Sequence, residues 1–282
     1  MSMEASRSRR TAVLRVMCLA LMMVVAGVAS LNVALPGIAR DTGATQTQLQ
    51  WIVDAYALAF AALLLPAGAI GDRFGRKGAL QLGLVGFLVG ATLAAASSSM
   101  WQLIGCRALM GASAAFIMPS TLSILVNVFP THERTKAIAI WAATTGAAGA
   151  IGPVASGWLL GHFWYGSIFL INVPIIVVAL ATGWVLVPKS KDPQQGRLDP
   201  VGAVLSIVGV SSLVYGLIEA PANGWSSATT LTAFAIAFVV LGTFATWELR
   251  VGEPMLDLRY FRNRPSRPAP PAWCSCSWPC SA

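Results

Sequence analysis

Long apolar runs separated by short polar segments extend over the first 250 residues of the chain. An α-helix needs about 20 predominantly apolar residues to cross the hydrocarbon core of a bilayer, and each run comes close to that length. Eight runs can be placed, at residues 12–35, 50–70, 79–98, 101–128, 137–160, 167–187, 201–218 and 228–247. The pattern predicts an all-α integral membrane protein with about eight transmembrane helices.

Composition supports this prediction. The chain is 56% hydrophobic and 11% charged, with a mean hydropathy of +0.69, whereas a soluble domain carries about 25% charged residues. The first run follows a group of arginines and could therefore be read as a cleaved signal peptide. It continues into Asn32–Pro36 without a small-residue cleavage site before a polar segment, so we expect a retained first helix.

The distribution of basic residues predicts how the chain is oriented. A net charge of +8 would suit a nucleic-acid-binding protein, but 17 of the 19 Lys and Arg residues fall on one side when the loops between runs are assigned alternately. Cytoplasmic loops are the ones that are rich in Lys and Arg. We therefore expect a multi-pass protein of the inner or plasma membrane with both termini cytoplasmic, whose partner is the lipid bilayer and not a nucleic acid.

The reactive residue types form no catalytic or metal-binding pattern in the sequence. Cys18 and Cys106 lie inside apolar runs, where a thiol behaves as a small hydrophobic group. The remaining cysteines, Cys274, Cys276 and Cys280, lack further ligands at the spacing of a zinc site. No nucleophile–base pair or phosphate-binding loop stands out in the aqueous segments, so we expect no enzyme activity, no metal and no cofactor.

A short charged turn between the second and third runs is the most informative motif. Two glycines, one acid and three cations stand there between segments long enough to cross a membrane: Gly68, Asp72, Arg73, Gly75, Arg76 and Lys77. Glycine lets the chain reverse without Cβ clashes, and Asp72 could accept hydrogen bonds from the amides that open the next helix. One interpretation is an ordinary positive-inside loop, and the other is a turn held by specific contacts for a function.

Two charged side chains within the apolar runs are candidates for a functional role. Arg107 and Gly111 form Arg-x-x-x-Gly in the fourth run. An arginine there is costly unless it finds water, an acid or carbonyl groups, which favours a functional role; the alternative is that it snorkels to the outer surface. Asp54 opens the second run near Trp51 and Tyr56. It is either an interfacial acid beside aromatics of the membrane belt or a carboxylate that attracts a cation at the mouth of a cavity.

The fifth run carries small residues at three- and four-residue spacing together with a proline. Such residues allow close contact between membrane helices, and a proline removes one backbone donor and bends the helix. The motif consists of Gly149, Gly152, Pro153 and Gly157. A generic tight-packing helix and a specialised transport helix both remain compatible with this pattern.

Taken in order, these motifs resemble those of the major facilitator superfamily. Residues 12–264 are similar to its fourteen-helix drug:proton antiporter branch, with further matching segments at 51–56, 117–123 and 253–258. The resemblance implies an alternating-access transporter that exchanges protons for lipophilic cationic drugs, and hence multidrug efflux and antibiotic resistance. It assigns the turn around Asp72 to the inner gate, Arg107 to the proton path, and the Gly152–Pro153 motif to the antiporter helix. Asp54 joins the proton path as the acid on which coupling would fall in this chain.

The resemblance also divides the chain into segments. It implies a basic cytoplasmic N-terminus, a six-helix bundle, a cytoplasmic linker, two additional transmembrane helices and a cytoplasmic tail. Their predicted bounds are 1–11, 12–187, 188–200, 201–248 and 249–282, in that order.

Two features depart from the antiporter branch. Gly27 occupies the position in the first helix where the branch usually carries an acid, so proton coupling would fall on Asp54 or be lost. From about residue 265 the sequence turns rich in Pro, Trp and Cys where a ninth apolar helix would follow. We expect a truncated pump, through a reading-frame shift near codon 265, a pseudogene or an assembly error, and the competing interpretation of this segment is a true disordered tail. The truncated chain could pair with a C-terminal bundle that it lacks. The alternatives are a non-transporting membrane fragment and a small-solute uniporter or importer of the same superfamily.

Overall fold

The computed structural model describes residues 7–188 and 199–250. The described residues form nine helices and no strand. In chain order the helices are α1 (Arg7–Thr42), α2 (Gln46–Phe74), α3 (Arg76–Ala95), α4 (Met100–Val128), α5 (Thr131–His162), α6 (Ser167–Leu170), α7 (Asn172–Leu186), α8 (Pro200–Asn223) and α9 (Ala228–Arg250).

Local polar groups determine where several helices begin and end. The Thr45 hydroxyl accepts a hydrogen bond from the Gln48 amide, and the Gln48 side chain accepts one from the Thr45 amide, so a capping box starts α2. Ser99 caps α4 and Asp199 caps α8 in the same general way. At the other end of α2, Gly75 has a φ of 123°, a backbone conformation that glycine adopts without strain and that lets the chain turn into α3.

Helices α1 to α7 pack into one bundle with α4 at its centre. The helix α4 packs against α2 and α3 along much of its length, and α1 packs against α5 and α7. Large side chains such as Met17, Leu84, Phe87 and Met110 fill the interior and are fully buried. The remaining pair, α8 and α9, packs together as a helical hairpin and contacts the bundle through α2.

The predicted number of spans is confirmed within the described ranges. Eight helical segments are long and apolar enough to cross a membrane, because α6 and α7 together make one span, Ser167–Leu186, interrupted at Ile171. The helices extend beyond the apolar runs that predicted them: α1 begins at Arg7, five residues before the expected start. A helix can continue into a polar segment outside the hydrocarbon, because its backbone hydrogen bonds are made within the helix itself.

Some sequence predictions lie outside the described residues. They concern most of the linker at 188–200 and the whole tail from 251 onward, which includes Cys274, Cys276 and Cys280.

Candidate functional site

The interface between α2 and α4 surrounds the arginine that the sequence singled out. Arg107 is 0% exposed, and its Nε donates a hydrogen bond to the carbonyl oxygen of Ile52 at 3.1 Å. Its two terminal nitrogens are buried without a hydrogen-bond partner among the described residues. Snorkelling, the alternative considered for this side chain, is therefore wrong, because the guanidinium ends inside the bundle.

Tyr56 covers this guanidinium. The centre of its ring lies 4.5 Å from the Arg107 Cζ atom, in cation–π geometry. The ring is 4% exposed, and its hydroxyl is another buried polar atom without a partner in the described chain. The assignment of Tyr56 to the membrane-belt aromatics is thus a wrong prediction. Trp51 remains partly exposed on the same helix and packs its ring at 6.1 Å from that of Tyr215.

Gly111 explains the spacing of the Arg-x-x-x-Gly motif. A Cβ atom at this position would collide with the carbonyl oxygen and Cα of Tyr56. Ile52 and Tyr56 are one turn apart on α2, and Arg107 and Gly111 are one turn apart on α4. Because the two helices run in the same direction, Arg107 meets Ile52 where Gly111 meets Tyr56. The glycine lets the two backbones approach closely, and that approach places the arginine next to an α2 carbonyl and beneath an α2 ring.

Asp54 lies on a different face of α2 from this buried arginine. It forms part of the wall of a recess of about 560 Å³ between the end of α1 and the start of α2. This recess, which we call the Asp54 recess, is mostly apolar and is lined by Leu35, Pro36, Ala39, Gln46, Leu49, Gln50, Val53 and Asp54. The structure therefore does not bring the two residues of the predicted proton path into direct contact.

The charged turn is held by contacts within the bundle. The Arg76 Nε donates to Asp72 Oδ1 at 2.6 Å, and the Ser123 hydroxyl of α4 donates to the same oxygen at 3.2 Å. The predicted capping of α3 by Asp72 is wrong, since Gly75 is the N-cap and no side chain caps that helix. The carboxylate instead ties the end of α2 to the start of α3 and to α4.

The other residues of the turn lie around this ion pair. Lys77 donates from Nζ to the carbonyl oxygen of Trp184 at 2.5 Å, in the last turn of α7. A cation there is favourable, because the carbonyls at a helix C-terminus carry partial negative charge. Arg73 lies 5.5 Å from the centre of the Phe74 ring. Gly68 faces Pro119 of α4, and a Cβ added at this glycine would lie 3.9 Å from the Pro119 Cβ.

The glycines of α5 fall into two groups. Gly152 is buried against α1, where an added Cβ would lie 3.0 Å from the Ala26 carbonyl oxygen. Gly149 and Gly157 face open space, with nothing within 4 Å of an added Cβ. Pro153 lies within the continuous helix α5. Gly152 thus lets α5 pack closely against α1, whereas Gly149 and Gly157 form part of an uncovered surface of small residues.

Two serines hold the backbone next to the proline. The hydroxyl of Ser30 on α1 donates to the Gly152 carbonyl oxygen at 3.1 Å, and that of Ser156 donates to the same oxygen at 2.9 Å. On α1, Gly27 lies beside Phe87 and Asn172, which an added Cβ would meet at ordinary van der Waals distances of 3.7 and 4.0 Å. The position where the antiporter branch carries an acid is therefore an internal position with room for a small side chain.

Sequence reasoning missed several residues of these sites. Ser123 and Ser30 act through partners that are 51 and 122 positions away along the chain, and serine is common in membrane helices, so nothing local marked them. Tyr56 was noted only as an aromatic near Asp54, because the contact of Arg107 with Ile52, one turn earlier on α2, is visible only in the structure.

The chain matches known transport proteins in sequence. The profile of the Major Facilitator Superfamily matches residues 17–252. The chain is 41% identical over 259 residues to the multidrug efflux pump LfrA of Mycolicibacterium smegmatis, covering 92% of the chain and 51% of that pump. It is 35% identical over 260 residues to the tetracenomycin C resistance and export protein of Streptomyces glaucescens, covering 92% of the chain and 48% of that protein. Against the methyl viologen resistance protein SmvA of Salmonella typhimurium the identity is 36% over 238 residues, covering 83% and 48%.

Solved structures share the fold. The chain superposes on the POT family transporter PepTSo with a TM-score of 0.62 at 17% identity, covering 87% of the chain and 54% of that protein. For the human organic anion transporter MFSD10 the TM-score is 0.56 at 13% identity, covering 84% and 71%. The chain is thus a multi-pass, all-α membrane protein, as predicted, and it spans about half the length of the curated relatives that it matches.

Proposed function

Because the chain belongs to the major facilitator superfamily, as its motifs predicted, we propose that it serves proton-coupled efflux of lipophilic cationic drugs. The family and its structural relatives are transporters, so the prediction that the chain is not an enzyme is confirmed. The observation that carries the proposal is the burial of Arg107 between α2 and α4 with two unpartnered terminal nitrogens among the described residues. Such a charge is expensive in a membrane helix and is retained mainly where it has a function.

In this proposal Arg107 is a fixed charge and Asp54 is the group that binds the proton. A guanidinium keeps its proton at all relevant pH values, so it orients water and neighbouring dipoles but does not exchange protons itself. Asp54 follows two residues after Ile52, whose carbonyl binds Arg107. A carboxylate half-buried near the start of α2 can load and release a proton as the helix moves, and Gly27 stands on α1 where the antiporter branch has an acid for that purpose.

We further propose that the six-helix bundle works against a second bundle across α5 and the charged turn. Small residues let membrane helices pack closely, and Gly149 and Gly157 present such a surface that no described residue covers. The Asp72–Arg76 pair would then form the cytoplasmic gate together with Gly68, Arg73, Gly75 and Lys77. The segment bounds predicted from the sequence belong to this proposal, as does the pairing with another bundle.

The substrate class rests on chemistry at the Asp54 recess and on a relative's name. An apolar wall with one carboxylate suits a cation with an apolar body. Methyl viologen, the compound in the name of SmvA, is an aromatic dication. Other relatives are named for tetracenomycin C and methylenomycin A, so a test has to compare cationic with uncharged compounds.

An orientation with both termini in the cytoplasm is part of the same proposal. Basic residues meet at one end of the bundle, where Arg10 pairs with Glu133 at 3.5 Å and where Arg9 and Lys77 reach the last carbonyls of α7. An excess of such residues marks the cytoplasmic side. Labelling of single cysteines introduced at the starts of α1 and α2 with a membrane-impermeant maleimide tests this, since only the second should react from outside the cell.

Export can be tested by complementation. The chain is co-expressed in bacterial cells with the part of the LfrA pump that it does not cover. Everted membrane vesicles are prepared from these cells, and a proton gradient is imposed. We expect uptake of ethidium and methyl viologen that an ionophore abolishes. Arg107→Gln and Asp54→Asn should remove it, whereas Arg40→Gln, a matched change at an exposed position, should not.

The outcomes separate the parts of the proposal. Uptake that survives the ionophore contradicts proton coupling, and uptake of tetracenomycin C alone contradicts the cationic substrate class. Uptake by the chain without the added segment contradicts the need for a second bundle. Absence of all uptake, with both pieces present in the membrane, would favour the non-transporting fragment.

A further inference from the structure

The helix α8 docks onto α2 next to the Asp54 recess. Gln50, which lines the recess, donates from its side-chain amide to the carbonyl oxygen of Ile218 at 3.2 Å. One residue further along α2, the ring of Trp51 lies 6.1 Å from that of Tyr215. These two contacts fix which face of α8 meets α2, namely the face that carries residues 215, 218 and 219.

This docking places a second carboxylate near the recess, although it is not part of the recess wall. Glu219 directly follows Ile218, the residue whose carbonyl accepts the hydrogen bond from Gln50, and its negative charge acts on that of Asp54. Its position is fixed from its own helix, because the side-chain amide of Asn223 donates to Glu219 Oε2 at 2.6 Å. Within residues 7–188 and 199–250 neither carboxylate has a Lys, Arg or His at ion-pair distance. Two neighbouring acids that are partly removed from water favour a bound cation, which relieves both their repulsion and their desolvation.

The recess indicates what kind of cation fits. Its volume of about 560 Å³ lies in the range of small-molecule sites. Five of its lining residues are apolar: Leu35, Pro36, Ala39, Leu49 and Val53. A Ca²⁺ or Mg²⁺ ion would need six or more oxygen ligands close around it, whereas a bulky organic cation can bury its apolar groups against this wall. The carboxylates of Asp54 and Glu219 then lie beside the positive charge of this cation and attract it.

We propose that the Asp54 recess and Glu219 of α8 together bind one lipophilic organic cation. The site lies where the six-helix bundle meets the α8–α9 hairpin, at the end of the bundle away from the chain's N-terminus. The hairpin thereby acquires a role in recognition, because it supplies the second carboxylate and the contacts that hold it in place. The inference rests on the cationic substrate class of the proposed function and adds to it a place and a residue from outside the six-helix bundle.

Binding of tetraphenylphosphonium to the purified full chain in lipid nanodiscs tests the proposal. Glu219→Gln removes one carboxylate with little change in shape and should weaken binding about five-fold or more. Asp41→Asn is the matched control, because Asp41 is an exposed acid at the same end of the bundle that does not line the recess. Its affinity should stay within about two-fold of the unmodified chain. Val53→Phe fills the recess without changing charge and should also weaken binding.

Each result has a distinct meaning. Equal affinities of the Glu219→Gln variant and the unmodified chain, with binding retained, would overturn the proposed site and leave the export proposal standing. An equal loss in the Asp41→Asn variant would also overturn it, since surface charge alone would then attract the cation. If monodisperse nanodiscs of the unmodified chain bind no tetraphenylphosphonium, the proposed site is wrong, and the cationic substrate class is then decided separately by the vesicle uptake assay.

Discussion

The ring of Tyr56 lies over the guanidinium of Arg107, 4.5 Å from its central carbon, and both side chains are buried. The arginine thus exchanges water for one carbonyl oxygen and one aromatic face, both supplied by α2. Cation–π contacts are strongest where the cation is desolvated. The buried charge of Arg107 is therefore stabilised by the close packing of α2 against α4.

The first prediction concerns the close approach at Gly111. Gly111→Ala places a methyl group into the Tyr56 backbone, which cannot move aside as a flexible side chain would, so the two helices must separate. Overpacking of this kind costs about 1–3 kcal/mol. We expect the melting temperature of the detergent-solubilised chain, followed by size-exclusion chromatography after heating, to fall by about 4 °C or more. Gly105→Ala on the same helix meets nothing within 4 Å and should leave the melting temperature unchanged or raise it slightly, because alanine favours a helix over glycine. An equal loss in both variants would contradict the argument.

The second prediction separates the Tyr56 ring from its hydroxyl. Because the hydroxyl is buried and has no partner among the described residues, Tyr56→Phe removes an unsatisfied polar atom and should be neutral or slightly stabilising. Tyr56→Leu removes the aromatic face and should cost about 2 kcal/mol. The same thermal measurement distinguishes them. A Tyr56→Phe variant as unstable as Tyr56→Leu would show that the hydroxyl makes a hydrogen bond in the membrane.

The number and approximate position of the spans could be predicted from the sequence, because a bilayer leaves a chain few choices. Backbone groups in hydrocarbon must bond within their own helix, so a run of about 20 apolar residues is nearly sufficient to define a span. The ends were less predictable. α1 starts at Arg7 and not at residue 12, since helix formation continues into the polar region where hydropathy carries no signal.

The site was predictable only where a residue was unusual for its surroundings. Arg107 stood out as a charge in an apolar run, and its contact with an α2 carbonyl agrees with the expectation of a buried partner. Tyr56 was misassigned because its neighbours Trp51 and Asp54 resemble the polar end of a span. Which face of α2 meets α4 is decided by tertiary packing around Gly111, and no local pattern reveals it.

A third prediction concerns the ion pair at the charged turn. Asp72 and Arg76 belong to consecutive helices and are only partly exposed, at 32% and 14% of their side-chain surfaces. A double-mutant cycle with Asp72→Asn and Arg76→Gln should give a coupling of about 0.5–1 kcal/mol in thermal stability. Arg76→Gln combined with Glu133→Gln, two residues that share no ion pair, should be additive. A coupling near zero for the first pair would mean that Ser123 alone holds the carboxylate.

The last prediction separates the two kinds of glycine on α5. Gly152→Val and Gly149→Val introduce the same side chain into the same helix, so their intrinsic helix propensities are matched. At Gly152 the new group must push against the α1 backbone at Ala26 and disturb the Ser30 hydrogen bond, so we expect a clear loss of thermal stability. At Gly149 it enters open space, and stability should be unchanged.

Gly149→Val, which should leave thermal stability unchanged, is expected to affect transport. If the surface around Gly149 packs against a second bundle, Gly149→Val should block that approach. The variant should then abolish ethidium uptake in the complementation assay while the chain itself remains as stable as before. Full uptake by Gly149→Val would show that the second bundle does not use this face of α5. Loss of stability in both variants would instead mean that α5 is covered on both sides within the chain, against the open space that surrounds Gly149 and Gly157.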